Sequence, residues 1–279
     1  MQYEEFKEKL IQALPDYLPA KYHDWEISCH EVVKVNGTYE TLFIMPQGGY
    51  GGTPNLYVDD LYGYYRHCRC FEQVCQKAAA VFVTGMDYAA RFSVKDVYEL
   101  PKDRIIYVLI PQKGNERLLA NVPHRLTMDL AVIYRIALEA ENGGMDSAVI
   151  SSAMAEELGL SEEELYHLAM ENTPGIMGLE IKRSEGLPFM VTNKLCISGA
   201  TTILYPGVLA ELAEELEHDL YILPSSLQEV FIVPDIGQDV KQMNDFIKNA
   251  NETVVGKEEI LADHVYYYHR ETDQVSIPK

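Results

Sequence analysis

Asn36-Gly37 stands between two strand-forming runs, residues 25–35 and 39–45. That dipeptide in that setting predicts a β-hairpin, since its backbone tolerates the positive φ angles that a tight turn demands. In the first run Ile27, Cys29, Glu31 and Val33 fall on one face, the period of a strand. Two further strand pairs lie much later in the chain, 220–223 with 229–233 across Pro224 to Gln228, and 265–269 with 274–277 around Glu271-Thr272-Asp273. Three hairpins commit the chain to antiparallel pairing.

Helical spacing fills the intervals. Tyr3, Phe6, Leu10, Ile11 and Leu14 predict a first helix, stopped by Pro15 and Pro19. Residues 57–83 read as one or two helices, with Tyr57, Leu61, Tyr64 and Tyr65 on one stripe and Phe71, Val74, Cys75 and Ala78 on another. A short helix is expected over 95–100 and a buried strand over 104–110. Residues 128–138 fit either a buried strand or a short helix, with Asn142-Gly143-Gly144 as the turn behind them. A helix over 147–158 should end at Gly159. Ser161 with Glu164 three residues on forms a capping box, and the helix it opens should stop after Glu171. Glu162, Glu163 and Glu164 then occupy a first turn, where the helix dipole favours negative charge by about 0.3–1 kcal/mol each. Strands are expected over 177–182 and 189–192, and a strand or helix lead-in over 199–205. Pro206 should open a helix whose apolar face is Val208, Leu209, Leu212, Ala213 and Leu216, and 240–250 form another. The expected fold class is α+β, mostly antiparallel hairpins with interspersed amphipathic helices. The polar stretch 111–121 suggests a boundary, giving an N-terminal α+β sub-domain over 1–115 and an acidic C-terminal one over 116–279.

Charge narrows the partners. The 279 residues hold 43 acidic and 23 basic side chains, a formal charge of −20. Residues 1–140 carry 15 basic and 18 acidic groups, and residues 141–279 carry 8 and 25. Neither half offers the basic stripe that displaces phosphate counterions, so nucleic acid and anionic membrane are not expected partners. A basic protein partner for the second half fits the charge, but plain solubility accounts for it more simply, since many acidic proteins bind nothing through their charge. The opening residues lack the apolar core of a signal peptide, and the most apolar stretch, 78–83, is far too short to span a bilayer. A soluble, cytosolic setting is expected. Five cysteines, an odd and sparse set, argue against a disulfide framework.

The chemistry-bearing motifs are few. His67, Cys68, Cys70 and Cys75 lack the spacing of a zinc site, and Cys68 and Cys70 on a helix would diverge by about 200°. No metal and no cofactor is expected. Residues 47–55 (QGGYGGTPN) read as a loop, because no Lys-Ser/Thr follows the glycines to make a phosphate cradle. Ser225 and Ser226 sit in a hairpin connection rather than a G-x-S-x-G elbow and should bond their own turn. Cys29 and Cys196 carry no local signature of a nucleophile, although His30 or His264 could complete a pair in space. The most suggestive group is His124, Arg125 and Asp129, an imidazole, a guanidinium and a carboxylate close in sequence that could bind an anion or run acid–base steps. The competing reading gives Arg125 a nearby carboxylate of this acidic chain and makes His124 or Asp129 a cap.

Several segments in order carry a resemblance: VPHR at 122–125, DLAVIY at 129–134, LGLSEEELYHLAMENTP at 158–174, ILYPGVLAELAEEL at 203–216, DLYILPSSLQEVFIVPD at 219–235 and DHVYYYHRET at 263–272. With the EEFKEKL opening, the chain resembles the uncharacterised bacterial family called domain of unknown function 5688, over nearly its whole length. Its central part is also similar in plan to the uncharacterised YtpQ-like bacterial proteins. Neither resemblance implies an activity or a site residue. No catalytic motif occurs, and the 19 tyrosines against 8 phenylalanines suit half-exposed recognition surfaces, although they also suit strands. The expected role is a non-catalytic binding or regulatory protein acting through protein–protein contacts. The alternative is an unfamiliar enzyme, a hydrolase for instance, using His124, Arg125 and Asp129.

Overall fold

The computed structural model describes residues 1–48, 53–89, 102–139, 144–184 and 186–278. The chain divides into two compact units, Met1–Glu99 and Leu100–Lys279. It is an α+β protein, and every strand pairing among the described residues is antiparallel.

In the first unit, helix α1 (Tyr3–Ala13) packs on a hairpin of β1 (Trp25–Lys34) and β2 (Gly37–Pro46), extended by the short β3 (Leu56–Tyr57), and on helices α2 (Val58–Cys68) and α3 (Phe71–Ala89). Phe6 and Leu10 from α1, Leu42 and Ile44 from β2, Leu61 from α2, and Val74, Cys75, Ala78 and Phe82 from α3 make its core. The hairpin turn lies one residue earlier than Asn36-Gly37 suggests. Lys34 pairs with Gly37, so Val35 and Asn36 make the turn and Asn36 alone takes the positive φ, 61°. A Cβ at Gly37 would meet the far end of the Tyr39 side chain at 2.9 Å, so that ring would have to swing aside to admit one. The helical spacing over 57–83 resolves into two helices because Arg69 turns left-handed at φ 55°. Cys68 and Cys70 therefore flank a helix end, and the Cys70 N–H points at Cys68 Sγ at 3.5 Å. The expected helix at 95–100 lies outside the described residues, as does the centre of the 47–55 loop.

The second unit holds two sheets. The smaller pairs β4 (Ile105–Pro111) with β6 (Leu130–Glu139), and β5 (His124–Thr127) and β7 (Met145–Val149) also pair with β6. The larger runs β13-β12-β10-β11-β9-β8, built from β8 (Glu180–Lys182), β9 (Phe189–Thr192), β10 (Leu220–Pro224), β11 (Val230–Pro234), β12 (Tyr266–His269) and β13 (Gln274–Ser276). Because β4 pairs with β6, a division at 115/116 would part a buried strand from its partner, so residues 100–115 belong to the second unit. The Tyr107 and Leu109 N–H groups of β4 are met by the hydroxyls of Thr173 and Thr201, each at 3.0 Å. Two threonines thus satisfy buried edge donors that would otherwise cost about 1–3 kcal/mol each.

The helices of this unit are a short α4 (Glu116–Leu119), α5 (Ser152–Leu158), α6 (Glu162–Met177), α7 (Val208–Leu216) and α8 (Val240–Thr253). The expected helix over 147–158 is shortened: 147–149 belong to β7, and Ser151 caps α5 by accepting the Met154 N–H. Gly159 ends it at φ 66°, as its lack of a Cβ allows. The Ser161–Glu164 capping box opens α6 as expected. That helix does not stop at Glu171 but continues through Pro174 to Met177, because Thr173 is fixed in the core, donating to Ala169 O and accepting from β4. Residues 199–204 form a 3₁₀ turn, and α7 begins at Val208 behind Gly207, φ 80°, rather than at Pro206. Among the described residues, no helix is long and apolar enough to cross a membrane.

Candidate functional site

His124 and Arg125 open strand β5, so as neighbours they point to opposite faces. Asp129 sits in the tight β5–β6 turn beside Met128, whose φ is 56°. The three side chains find different partners. Nδ1 of His124 lies 3.0 Å from the Val122 carbonyl. Arg125 donates from Nε and Nη2 to the two oxygens of Glu162, at 3.1 and 2.9 Å, and from Nη2 to Glu163 at 2.5 Å. Its guanidinium also lies over the Tyr166 ring, 3.9 Å from the centroid. Tyr134 donates to the same Glu162 carboxylate. Burial raises the Glu162 carboxyl, but the hydrogen bonds from Arg125 and Tyr134 outweigh it and hold it below the usual range. Arg125 is held more firmly protonated by Glu162. Two of the first-turn glutamates of α6, Glu162 and Glu163, therefore serve the helix dipole and bind Arg125 as well.

Asp129 joins a separate group. It accepts the Tyr266 hydroxyl proton at 2.8 Å, and its other oxygen lies 3.5 Å from Nε2 of His264. His264 Nδ1 lies 3.1 Å from Asp263, and its ring meets Tyr266 edge-on at 5.0 Å. Burial, then the Asp129 charge, pushes the Tyr266 phenol far above its ordinary range. Ser225 and Ser226 bond within their own turn, as expected: both N–H groups meet Glu229 O, and Ser226 Oγ accepts from Gln228. Among the described residues, no group of three or more His, Cys, Asp or Glu is placed to hold a metal ion.

A concave feature of the second unit lies elsewhere. A cleft of about 520 Å³ is lined by Glu217, His218, Asp219, Asp235, Tyr267, Arg270 and Glu271. Its floor follows from strand alternation. Tyr266 and Tyr268 are buried, whereas Tyr267 faces the other way and is half-buried. The Tyr267 ring stacks edge-on with Tyr221, 4.9 Å away, above the apolar seam formed by Ile247, Val265, Val240 and Met243. Its hydroxyl reaches Asp235 at 2.7 Å and Asp219 at 3.0 Å. These two aspartates bracket the β10–β11 hairpin, and the Asp235 N–H donates to Asp219 O, which keeps them side by side. Asp219 also accepts the Arg270 backbone N–H at 2.9 Å, and this bond leads the causes that hold its carboxyl below the usual range. Burial raises the Tyr267 phenol, and both carboxylates add to that. One phenolic proton thus serves two carboxylates, in a cleft where four carboxylates meet a single arginine.

Sequence reading singles out none of these residues as a site. The available signal is the alternation of Tyr266, Tyr267 and Tyr268 together with the aspartates that end each strand of the 220–234 hairpin. A family model described as a family of unknown function (DUF5688) matches residues 3–187 and 183–270. No curated protein and no solved structure matches.

Proposed function

The chain belongs to this family of unknown function, DUF5688, so its role has to be argued from its own residues, and we propose that it is a non-catalytic binding protein whose acidic cleft receives a lysine- or arginine-bearing segment of a protein partner. The observation that carries this is the convergence of Asp219 and Asp235 on one Tyr267 hydroxyl in an open cleft. A guanidinium or ammonium group supplies the extra donors and the positive charge that such a pair lacks. The excess of 25 acidic over 8 basic residues in 141–279 steers a basic partner toward this half. A cytosolic setting is consistent with the free thiols at Cys29, Cys68, Cys70, Cys75 and Cys196. A hydrolase built on His124, Arg125 and Asp129 is the weaker reading: Arg125 is matched by two glutamates, His124 is turned to a backbone carbonyl, and Asp129 is engaged by Tyr266.

The test is fluorescence polarisation of a labelled Arg/Lys-rich peptide against the wild type, Asp235→Asn and Asp219→Asn. Binding should weaken about tenfold or more in Asp235→Asn, and should fall as salt rises from about 50 to about 300 mM because the charges are exposed. Equal affinity in the wild type and both variants, or equal affinity for a neutral peptide of the same length, would rule the reading out.

A further inference from the structure

Arg135 lies on β6, facing Val149 of β7 on one side and Ile106 of β4 on the other. Its same-face neighbours Ile133 and Ala137 are buried, and Arg135 itself is partly so. The guanidinium reaches diagonally to Ser147, whose Cα is paired with Ala137. Nε donates to Ser147 Oγ at 2.7 Å and Nη2 to Ser147 O at 2.9 Å.

Those two bonds occupy one edge of the fork. A guanidinium has five N–H donors, so both donors on Nη1 and the second on Nη2 remain, and they lie along the adjoining edge. Ser147 solvates the group without neutralising it. Among the described residues, no carboxylate pairs with Arg135, whereas Arg125 is paired with Glu162 and Glu163, and Arg183 with Glu215. In a chain with 43 acidic and 23 basic side chains, an arginine that is partly buried and, among the described residues, meets no carboxylate differs from Arg66, Arg69 and Arg270, which lie exposed to water. Removing a cation from water without a counter-charge is unfavourable, and burial alone pushes the Arg135 guanidinium downward from its ordinary range.

We propose that Arg135 is the recognition group of a small-oxyanion site: its free Nη1/Nη2 edge takes a carboxylate or phosphate through two parallel hydrogen bonds, with Ser147 holding the guanidinium in plane. The ligand supplies the missing negative charge, and its two oxygens match the spacing of the fork, which a lysine ammonium could not reproduce. The proposal does not depend on the cleft at Tyr267.

Thermal unfolding of the whole chain, with inorganic phosphate or acetate added against sodium chloride of equal ionic strength, gives the first readout. One of the two oxyanions should raise the wild-type Tm above the chloride control. Phosphate acting alone identifies a phosphate site, and acetate acting alone a carboxylate site. Arg135→Lys keeps the charge but loses the fork, and should weaken the apparent affinity about tenfold or more. A second readout needs no variant: the Arg135 Nε–H resonance should move and saturate with the same oxyanion. An unchanged wild-type Tm with a stationary Arg135 resonance would overturn the proposal, as would an equal Tm rise in a folded Arg135→Lys protein.

Discussion

His264 sits between two carboxylates, with Nδ1 3.1 Å from Asp263 and Nε2 3.5 Å from Asp129. The hydrogen bond to His264 is the leading cause that holds the Asp263 carboxyl below its ordinary range. A carboxyl whose folded pKa lies below its unfolded value takes up a proton in the unfolded chain first. Its contribution to stability is therefore present above the unfolded value, roughly pH 4, and is lost as the pH falls through the folded one. His264→Gln should flatten part of the decline in the urea midpoint between neutral and acidic pH, and an unchanged decline would show that this pair contributes nothing. At the same scale, Arg125 is legible in the sequence as the partner of some carboxylate in an acidic chain. Which carboxylate is not legible, because Glu162 and Glu163 lie 37 and 38 residues away and are brought near only by packing. His264 is visible there only as a distant partner for a cysteine, since nothing local to it shows that Asp129 will fold beside it.

Elements with local causes can be read from the sequence, and those with tertiary causes cannot. The capping box of α6 is a contact across three residues and is present: Ser161 Oγ accepts from the Glu164 N–H at 3.3 Å, and Glu164 accepts from the Ser161 N–H at 2.8 Å. Ser161→Ala should lower stability by about 1 kcal/mol, measured by urea denaturation, and a change near zero would show that the box is idle. The end of α6 is misplaced by local reading because Pro174 signals a stop, while Thr173 beside it is committed to strand β4. Thr173→Val keeps the shape but removes the acceptor of the buried Tyr107 N–H, and should cost about 1–3 kcal/mol. A smaller loss would show that another group takes over that N–H. Strand β7 escapes notice for a related reason: its backbone partners lie on β6, and nothing in residues 145–149 alone favours a strand over the helix behind it.

Across the whole molecule, the three hairpins are legible because each closes within a short connection, and they fix the antiparallel α+β class. The order of the larger sheet is not, since β10 pairs with β12 across more than forty residues and β11 pairs back to β9. The division of the chain is hidden at β4 for the same cause, its partner strand lying beyond a polar stretch that looks like a linker. Residues 100–279 produced alone should unfold in a single cooperative urea transition, because both sheets of the second unit close within them. A broad, non-cooperative loss of structure would show that this unit leans on the rest of the chain. The acidic cleft is a product of this scale too: strand ends separate in sequence deliver Asp219, Asp235 and Tyr267 to one place. Backbone amide shifts of the full chain, recorded while an Arg/Lys-rich peptide is titrated in, test that assembly most directly. The saturating shifts should centre on Asp219, Asp235, Tyr267 and Arg270, whereas shifts spread evenly over the acidic surface, or centred on another face, would contradict a cleft built to receive a basic side chain.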